Sequence, residues 1–432
     1  MSTYAQIIYT IAGNGSSANS GEGVPATDAA IGYTGGCAFD HKGNLYFSNG
    51  NSHNSIKKID RYGYITTVAG TGSGGYNGDN IPATNATLNS PTTVAFDSLD
   101  NLYIADGDNQ RVRRVDAVTS LITTVAGNGI GASTGDGYPA TNASIYGVED
   151  ICFDHFGNLY ILEYSGHRIR KVTTSGIIAT IAGTGISAHT GDGGPATAAS
   201  LSNPVGICLD AFDNLFVSEL GLKIRRIDRT SKLITTIAGI DSGGISATGD
   251  GGPATQAAIN PRGIAIDAVG NLFVAGYSYG DVRRIDNSGI IRTVAGTGVT
   301  GYSGDGGVAT NAKISALYNI TLDSCDNLYI SDRVNCRIRK VALNPACWPV
   351  EEPIVPISTN LIFPNPVIDD LTVQLSCSTR YRLYGALGKI LDFGTLSPGT
   401  NKLSFRLFIN GLYFLELTDD EGRRRVHKII KQ

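Results

Sequence analysis

Two acids stand side by side at Glu149 and Asp150, and far along the chain Arg262, Tyr318 and Asn319 supply a cation, a phenol and an amide. Brought together, such groups can hold a polar ligand through charge-assisted hydrogen bonds or offer oxygens to a hard cation such as calcium. Tyr164, Tyr277 and Arg333 extend the same set, with Glu163, Glu219 and Tyr279 beside them. A second series has a different character. Asp79, Asp136, Asp192, Asp250 and Asp305 recur inside near-copies of Gly-Asp-Gly-Gly-Pro-Ala-Thr, and Glu22 fills the place in a degraded first copy. Six carboxylates on one rim can bind calcium. Gly-Asp-Gly is also ordinary turn chemistry, in which Asp caps its own backbone, and an acid present in every copy points to structure. Catalytic sets are weaker. The histidines His41, His53, His155, His167, His189 and His427 supply no three at equivalent inner positions, as a zinc site requires. No Gly-x-Ser-x-Gly elbow or phosphate loop occurs.

The elements that must position these residues come from a repeat. Near-identical copies of Ile-Thr-Thr-Val-Ala-Gly end at Gly13, Gly70, Gly127, Gly183, Gly239 and Gly296, and Asn-Leu-(Tyr/Phe) recurs in step from Asn44 to Asn327. Regular self-similarity of this length means a repeat architecture. One unit reads as four short strands, at 93–97, 102–105, 112–116 and 121–126, rich in β-branched residues and alternating in polarity. The turn after the first strand carries Gly43, Asp100, Gly157, Asp213, Gly270 and Asp326 at one position, residues that tolerate positive φ. Four strands per unit, arranged radially, form a β-propeller blade. The chain opens with a lone fourth-strand segment at 7–12, and its last repeat supplies three strands. The expected fold is therefore all-β: a six-bladed β-propeller whose N-terminal strand closes the last blade, followed by a small immunoglobulin-like β-sandwich.

This placement sorts the candidates. The first strand of each blade lines the channel, and its first two positions read Gly35-Gly36, Thr92-Thr93, Glu149-Asp150, Val205-Gly206, Arg262-Gly263 and Tyr318-Asn319. Residues that obey the repeat build the fold, so those that break it are the expected ligand contacts: Glu149, Asp150, Arg262, Tyr318 and Asn319, flanked by Tyr164, Tyr277 and Arg333. The competing expectation is a Glu149/Asp150–Arg262 pair that only plugs the channel.

The repeat consensus, Pro-x-Gly-Ile-Ala-x-Asp-x-x-Gly-Asn-Leu-(Tyr/Phe)-(Ile/Val)-x-Asp-x-x-Asn-x-Arg-Ile-Arg-Lys-(Val/Ile)-Asp, resembles the NHL repeat, best at Asp106, Asn109 and Arg111–Arg114 and again at Asp332, Asn335 and Arg337–Lys340. The resemblance covers residues 7–342. It implies a local Asp–Arg pair that blades 1 and 5 lack, because Asn49 and Ser55, then Gly276 and Asp281, replace it. NHL proteins include RNA binders, protein-interaction modules, sensor domains and a few enzymes, so the fold leaves the function open. Glu149, Asp150 and Asn319 resemble in type, but not in spacing, the calcium ligands of gluconolactonase-like propellers.

Residues 343–359 form a Pro-rich linker. The following 360–432 segment shows alternating strands at 371–375, 381–384, 402–405 and 413–417. Phe363-Pro-Asn-Pro366, Asp370-Leu-Thr-Val373, Gly411-Leu-Tyr-Phe-Leu415 and the basic end at Lys428 resemble the sorting domain of type IX secretion in Bacteroidetes-type bacteria. That implies export to the outer cell surface, with the secretion machinery as partner.

Composition agrees. Net charge is −4 and the pI is near 5.9, against the basic patches of nucleic-acid binders, and no apolar run reaches the length of a membrane span. Of seven cysteines, Cys37, Cys152 and Cys208 occupy apolar strand positions and read as core, while a Cys325–Cys347 disulfide would suit an oxidising compartment. Thr3-Tyr4-Ala5 before Gln6 would suit the end of a trimmed signal peptide. The expected protein is a secreted or surface-attached monomer that binds a protein, peptide or glycan. No cofactor is expected, with calcium the one ion the rim would accept, and the alternative is a calcium-dependent hydrolase or lyase at the channel mouth.

Overall fold

Short runs of Val, Ile and Thr, each ended by Gly or Asp, build the same antiparallel sheet six times. The computed structural model describes residues 6–50, 53–220, 222–241 and 248–343, and within 362–431 all but 364–366, 376–377, 386–389, 407 and 420–423. The chain divides into two compact units, 1–348 and 349–432.

In the first unit, blade 3 runs outward as Val148–Phe153, Leu159–Glu163, Arg168–Val172 and Ile178–Ala182. The other blades repeat this order, and the six first strands touch one another in a closed ring. Blade 6 consists of Leu317–Leu322, Leu328–Asp332, Arg337–Val341 and, as its outermost strand, the N-terminal Ile8–Ala12. Ile8 lies opposite Val341, and Ile8 and Ala12 are fully buried. The anticipated closure is thus present, and it leaves no blade with a missing strand. Each apolar cluster lies between two neighbouring blades; Ala105, Val112 and Ala126 of blade 2, for example, pack on Ile151 and Ile161 of blade 3. Burial across blade interfaces is what makes one blade depend on the next.

The alternating Gly and Asp of the first hairpin have a physical reason. All six adopt positive φ, with Asp100, Asp213 and Asp326 near 60°. The aspartates use the position to reach the preceding blade. Asp100 accepts the backbone N–H of His41 at 3.0 Å and Asp213 that of His155 at 3.2 Å, and both imidazole rings sit at 2.7 Å from the same carboxylates.

The connections between blades follow one path. After the fourth strand the chain crosses to the outer edge of the next blade, where Pro139 bridges Ile177 and Pro195 bridges Leu233. It then makes a single 3-10 turn, such as Ala140–Asn142 or Ala196–Ala198, before entering the channel strand. Proline suits the residue before such a turn because its φ is already set.

The second unit has a three-stranded sheet (Ile362–Phe363, Asp370–Leu375, Gly399–Ser404) and a four-stranded sheet in the order Ile390–Leu396, Thr379–Gly385, Gly411–Asp419, Arg424–Lys431. Leu371, Val373, Leu383, Phe405, Leu415 and Ile429 share its core, as in a β-sandwich. Three strands, at 362–363, 390–396 and 424–431, were not anticipated; the last is so rich in Arg and Lys that its apolar alternation is masked. Cys37, Cys152, Cys208 and Cys336 are free thiols, Cys37 and Cys336 being buried, and Cys325 is disulfide-bonded. The proposed partner Cys347 lies outside the described residues, as do most of the linker and part of the Phe363–Pro366 motif.

Candidate functional site at the channel mouth

Every channel strand begins with a break in register: between Val148 and Asp150 in blade 3, Pro261 and Ile264 in blade 5, and Leu317 and Ile320 in blade 6. A bulge inserts an unpaired residue and re-aims its side chain. The residues at these breaks meet. The Arg262 guanidinium donates to Glu149 Oε1 at 2.7 Å, and the Tyr318 hydroxyl donates to the same oxygen at 2.8 Å. Arg262 lies 3.9 Å from the centre of the Tyr318 ring and 5.0 Å from that of Tyr277, and Arg333 lies 4.7 Å from the Tyr318 ring. Cation–π contacts of this kind hold a guanidinium flat and ordered. The Arg262 and Glu149 side chains are only 12% and 14% exposed, and Arg262 Nε is buried with no hydrogen-bond partner. The Glu149–Arg262 pair is therefore formed across the mouth. Blades 3, 5 and 6 build this cluster, which brings together five of the residues expected from sequence: Glu149, Arg262, Tyr318, Tyr277 and Arg333.

Asp150 and Asn319 take a different part. The Asp150 carboxylate is buried and accepts the backbone N–H groups of Ile151 and, on the next blade, Ile207, each at 2.9 Å. Asn319 Oδ1 accepts the backbone N–H of Cys37 on blade 1 at 3.4 Å. The residue after the bulge thus joins one inner strand to the next, and glycine serves where blades approach too closely: a Cβ at Gly263 would stand 2.5 Å from Asn319 Cα. Tyr164 is half-buried, with its backbone N–H on the Gly147 carbonyl.

Burial, reinforced by the charge of Glu149 and opposed by the N–H groups of Ile207 and Ile151, pushes the Asp150 carboxyl up to about 7. An acid with a raised folded-state pKa keeps its proton in the folded chain after the unfolded chain has lost it, so its contribution to stability is complete below the ordinary carboxylate range and is lost as pH rises toward 7. Asn319 shows that an amide can make the cross-blade half of this bridging, its one acceptor oxygen taking the N–H of the next blade. We expect Asp150→Asn to fold and to flatten the decline in melting temperature between pH about 4 and about 7, followed by thermal melts in a pH series. An unchanged slope would contradict this role.

The rim acids are committed elsewhere. The third strand of each blade carries one buried cation, and the rim acid of the preceding loop binds it: Arg113 with Asp79 (3.0 Å), Arg170 with Asp136 (2.6 Å), Arg225 with Asp192 (2.7 Å), Arg283 with Asp250 (2.5 Å), Arg339 with Asp305 (2.5 Å) and Lys57 with Glu22. A second acid, from the end of strand two, faces the same cation. Glu163 lies 2.9 Å from Arg170, and Asp106 3.5 Å from Arg113. Burial raises Asp136, but hydrogen bonds from Thr180 and the Arg170 charge outweigh it and hold the group below its ordinary value, and Asp192 and Asp250 behave alike. Each rim acid therefore fastens a loop to its blade. Among the described residues no group of three or more His, Cys, Asp or Glu is placed to share a metal ion.

The same geometry corrects the implied Asp–Arg pair. Asp106 reaches Arg113, two residues beyond its ladder partner Arg111, whose guanidinium instead caps the carbonyls of Asn109 and Asn128. Blade 5 keeps a carboxylate near its arginine by exchange: Asp281 takes the space that a side chain at Gly276 would fill, its Oδ1 lying 2.0 Å from where that Cβ would stand. Blade 1 changes the whole set, to Lys57, Glu22 and Asn49. Lys57 standing where other repeats have Arg, with Glu22 where they have Asp, was the signal in the sequence that could have revealed this ring of buried cations.

Comparison with known proteins agrees with this architecture. A family model for the secretion system C-terminal sorting domain matches residues 361–432, one for the NHL repeat matches 88–115, and one for the teneurin NHL domain matches 242–300. The chain carries NHL repeats and ends in a type IX sorting domain. This NHL propeller is similar to the protein Suppressor of quenching 1, chloroplastic, of Arabidopsis thaliana, at 26% identity over 69% of the chain, and to teneurin-1 of Gallus gallus, at 30% identity over 48%. It spans 29% and 8% of those two proteins' own lengths. Among solved structures, an auxiliary nutrient binding protein from Bacteroides thetaiotaomicron aligns with a TM-score of 0.58 at 17% identity, covering 78% of this chain and 76% of that one. A protein of the same description from Bacteroides ovatus aligns at 0.57 and 15% identity, covering 79% and 77%. At such identities the likeness is one of fold. The sorting domain marks the NHL propeller for export to the cell surface or beyond, and no helix among the described residues is long and apolar enough to cross a membrane.

Proposed function

We propose that this exported NHL propeller acts as a monomer that captures a protein, peptide or glycan through its loop-rich face, with the channel mouth as the contact point. The observation that carries this reading is the meeting of Glu149, Arg262 and Tyr318 from three separate blades. The rim acids are spent on holding loops, whereas the mouth presents an ordered guanidinium between two tyrosine rings. A group already fixed in place loses little freedom when a ligand arrives. Support also comes from the description of a propeller of the same fold as an auxiliary nutrient binding protein.

The test is a panel of glycans and peptides offered to the full chain. We expect a ligand from at least one of these classes, with binding weakened by Arg262→Ala. Failure of every glycan, peptide and protein fraction to bind would overturn the reading. The tail makes a separate prediction. Deleting residues 360–432 should abolish appearance of the protein outside the cell, as followed by fractionation, while the melting transition of the propeller persists. Continued export of the deleted form would contradict a sorting role.

A further inference from the structure

Beside the mouth, an open depression of about 50 Å³ lies between the channel strands of blades 1, 2 and 6. Such room holds roughly three or four water molecules, well under the roughly 300 Å³ at which sites for whole small molecules begin. It suits a single functional group of a ligand whose remainder lies outside. The charges around it decide which group.

The wall holds Arg333, 4.7 Å from the centre of the Tyr318 ring, and the same ring carries Arg262 at 3.9 Å. Glu149 is the carboxylate of this cluster, and its Oε1 already takes both the Arg262 guanidinium and the Tyr318 hydroxyl. Two guanidiniums against one ionised carboxylate leave one positive charge over, and Arg333 carries it. Other arginines of this face are spent: Arg111, Arg168 and Arg337 cap carbonyls, and the buried third-strand arginines bind acids. Among the described residues the Arg333 side chain has neither kind of partner. Tyr33, 40% exposed, and Ser90 also line the depression, and neither hydroxyl bonds to another described residue. Stacking on an aromatic ring orders a guanidinium, and an ordered group loses little freedom when it binds. A planar fork of N–H donors with a spare charge matches an oxyanion, which it can hold through two parallel hydrogen bonds. A cation would be repelled there, and an apolar group would leave the donors unmet.

We propose that this depression binds one small oxyanion group, a carboxylate, sulfate or phosphate, with Arg333 as its charged partner and the Tyr33 and Ser90 hydroxyls as further donors. The proposal rests on the reading of the loop-rich face as the ligand side and deepens it, because it names the group by which the ligand is anchored. Arg262 keeps a separate task in the neighbouring cluster, where Glu149 neutralises it.

The experiment is calorimetric titration of the full chain with acetate, sulfate and phosphate in chloride buffer at fixed ionic strength, repeated on Arg333→Gln, Arg333→Lys and Arg292→Gln. At least one oxyanion should give a weak, saturable isotherm, and the three arms tell a carboxylate site from one for tetrahedral anions. Arg333→Gln should lower that affinity roughly tenfold or more, the usual size of a charge-assisted hydrogen bond. Arg333→Lys should retain part of it, because it keeps the charge and loses the fork. Arg292→Gln, at an exposed arginine already paired with Asp286, should leave it unchanged. Thermal melts without added oxyanion check that each variant is folded. Failure of all three oxyanions to saturate would overturn the site, as would binding that Arg333→Gln leaves intact or that Arg292→Gln weakens equally. The two readings fail separately. A ligand from the glycan and peptide panel that a saturating oxyanion does not displace would keep the loop-rich face and overturn its anchoring at Arg333. Oxyanion binding lost in Arg333→Gln, with no ligand from the panel, would support the site and overturn the wider reading.

Discussion

Deleting residues 1–13 should remove the cooperative unfolding transition of the propeller or lower its midpoint by roughly 10 °C or more. The segment is the outer strand of blade 6, so its loss strips the ladder opposite residues 338–341 and leaves Ile8 and Ala12 missing from two apolar clusters. It also removes bonds to the loop that precedes blade 6: Gly306 N–H to the Ile8 carbonyl at 2.9 Å, Ile8 N–H to the Gly307 carbonyl at 3.1 Å, and Ala309 N–H to the Gln6 carbonyl at 2.7 Å. An unpaired strand edge would then face solvent, a site for aggregation. Because each core is shared by two blades, damage at the seam spreads to blades 1 and 5. Thermal melts with light scattering read the outcome, and a truncated form that melts like the full chain would contradict closure by this strand.

Replacing Arg170 with Met should cost about 3–5 kcal/mol, the usual result of removing one partner from a buried ion pair. Arg170 is fully buried and binds Asp136, Glu163 and the carbonyls of Thr134 and Ser144. Met fills similar space but leaves Glu163 buried with only the Ser133 hydroxyl as a described side-chain partner. Burial already raises the Glu163 carboxyl above its ordinary value, with Ser133 and Arg170 opposing that rise. Without the arginine its folded-state pKa rises further, so the loss of stability should grow as pH increases above the ordinary carboxylate range. Adding Glu163→Gln should restore part of it, because a neutral amide costs less to bury than an unpaired charge. Chemical denaturation at two pH values measures both effects, and a double variant no more stable than Arg170→Met would contradict the assignment.

Much of this molecule was legible because it is written six times. The period located every blade, the stray first copy of the repeat located the closing strand, and the alternation of Gly and Asp located turns that do have positive φ. The Glu149–Arg262 pair was legible as an exception to the repeat. The partition of the channel residues was not. Glu149 and Asp150 are adjacent in sequence, but a bulge sends one to the mouth and the other to the backbone of blade 4, and no residue type announces that bulge. The buried cations were hidden for the opposite reason: they obey the repeat so well that only blade 1, with Lys57 and Glu22, exposes the pairing. Blade 5 misleads further, because its acid has moved from strand two to Asp281 and looks like a loss.

Two arginines give the most direct test of the division between scaffold and recognition. Arg170 obeys the repeat and Arg262 breaks it. Binding of a ligand recovered from the glycan and peptide panel should be measured by titration on Arg262→Ala and Arg170→Met, alongside their melting temperatures. We expect Arg262→Ala to lose roughly tenfold or more in affinity with a small change in melting temperature. For Arg170→Met we expect a large fall in melting temperature with affinity retained below the transition. Unchanged affinity in Arg262→Ala, with the ligand still bound to the propeller, would contradict the assignment of recognition to the channel mouth.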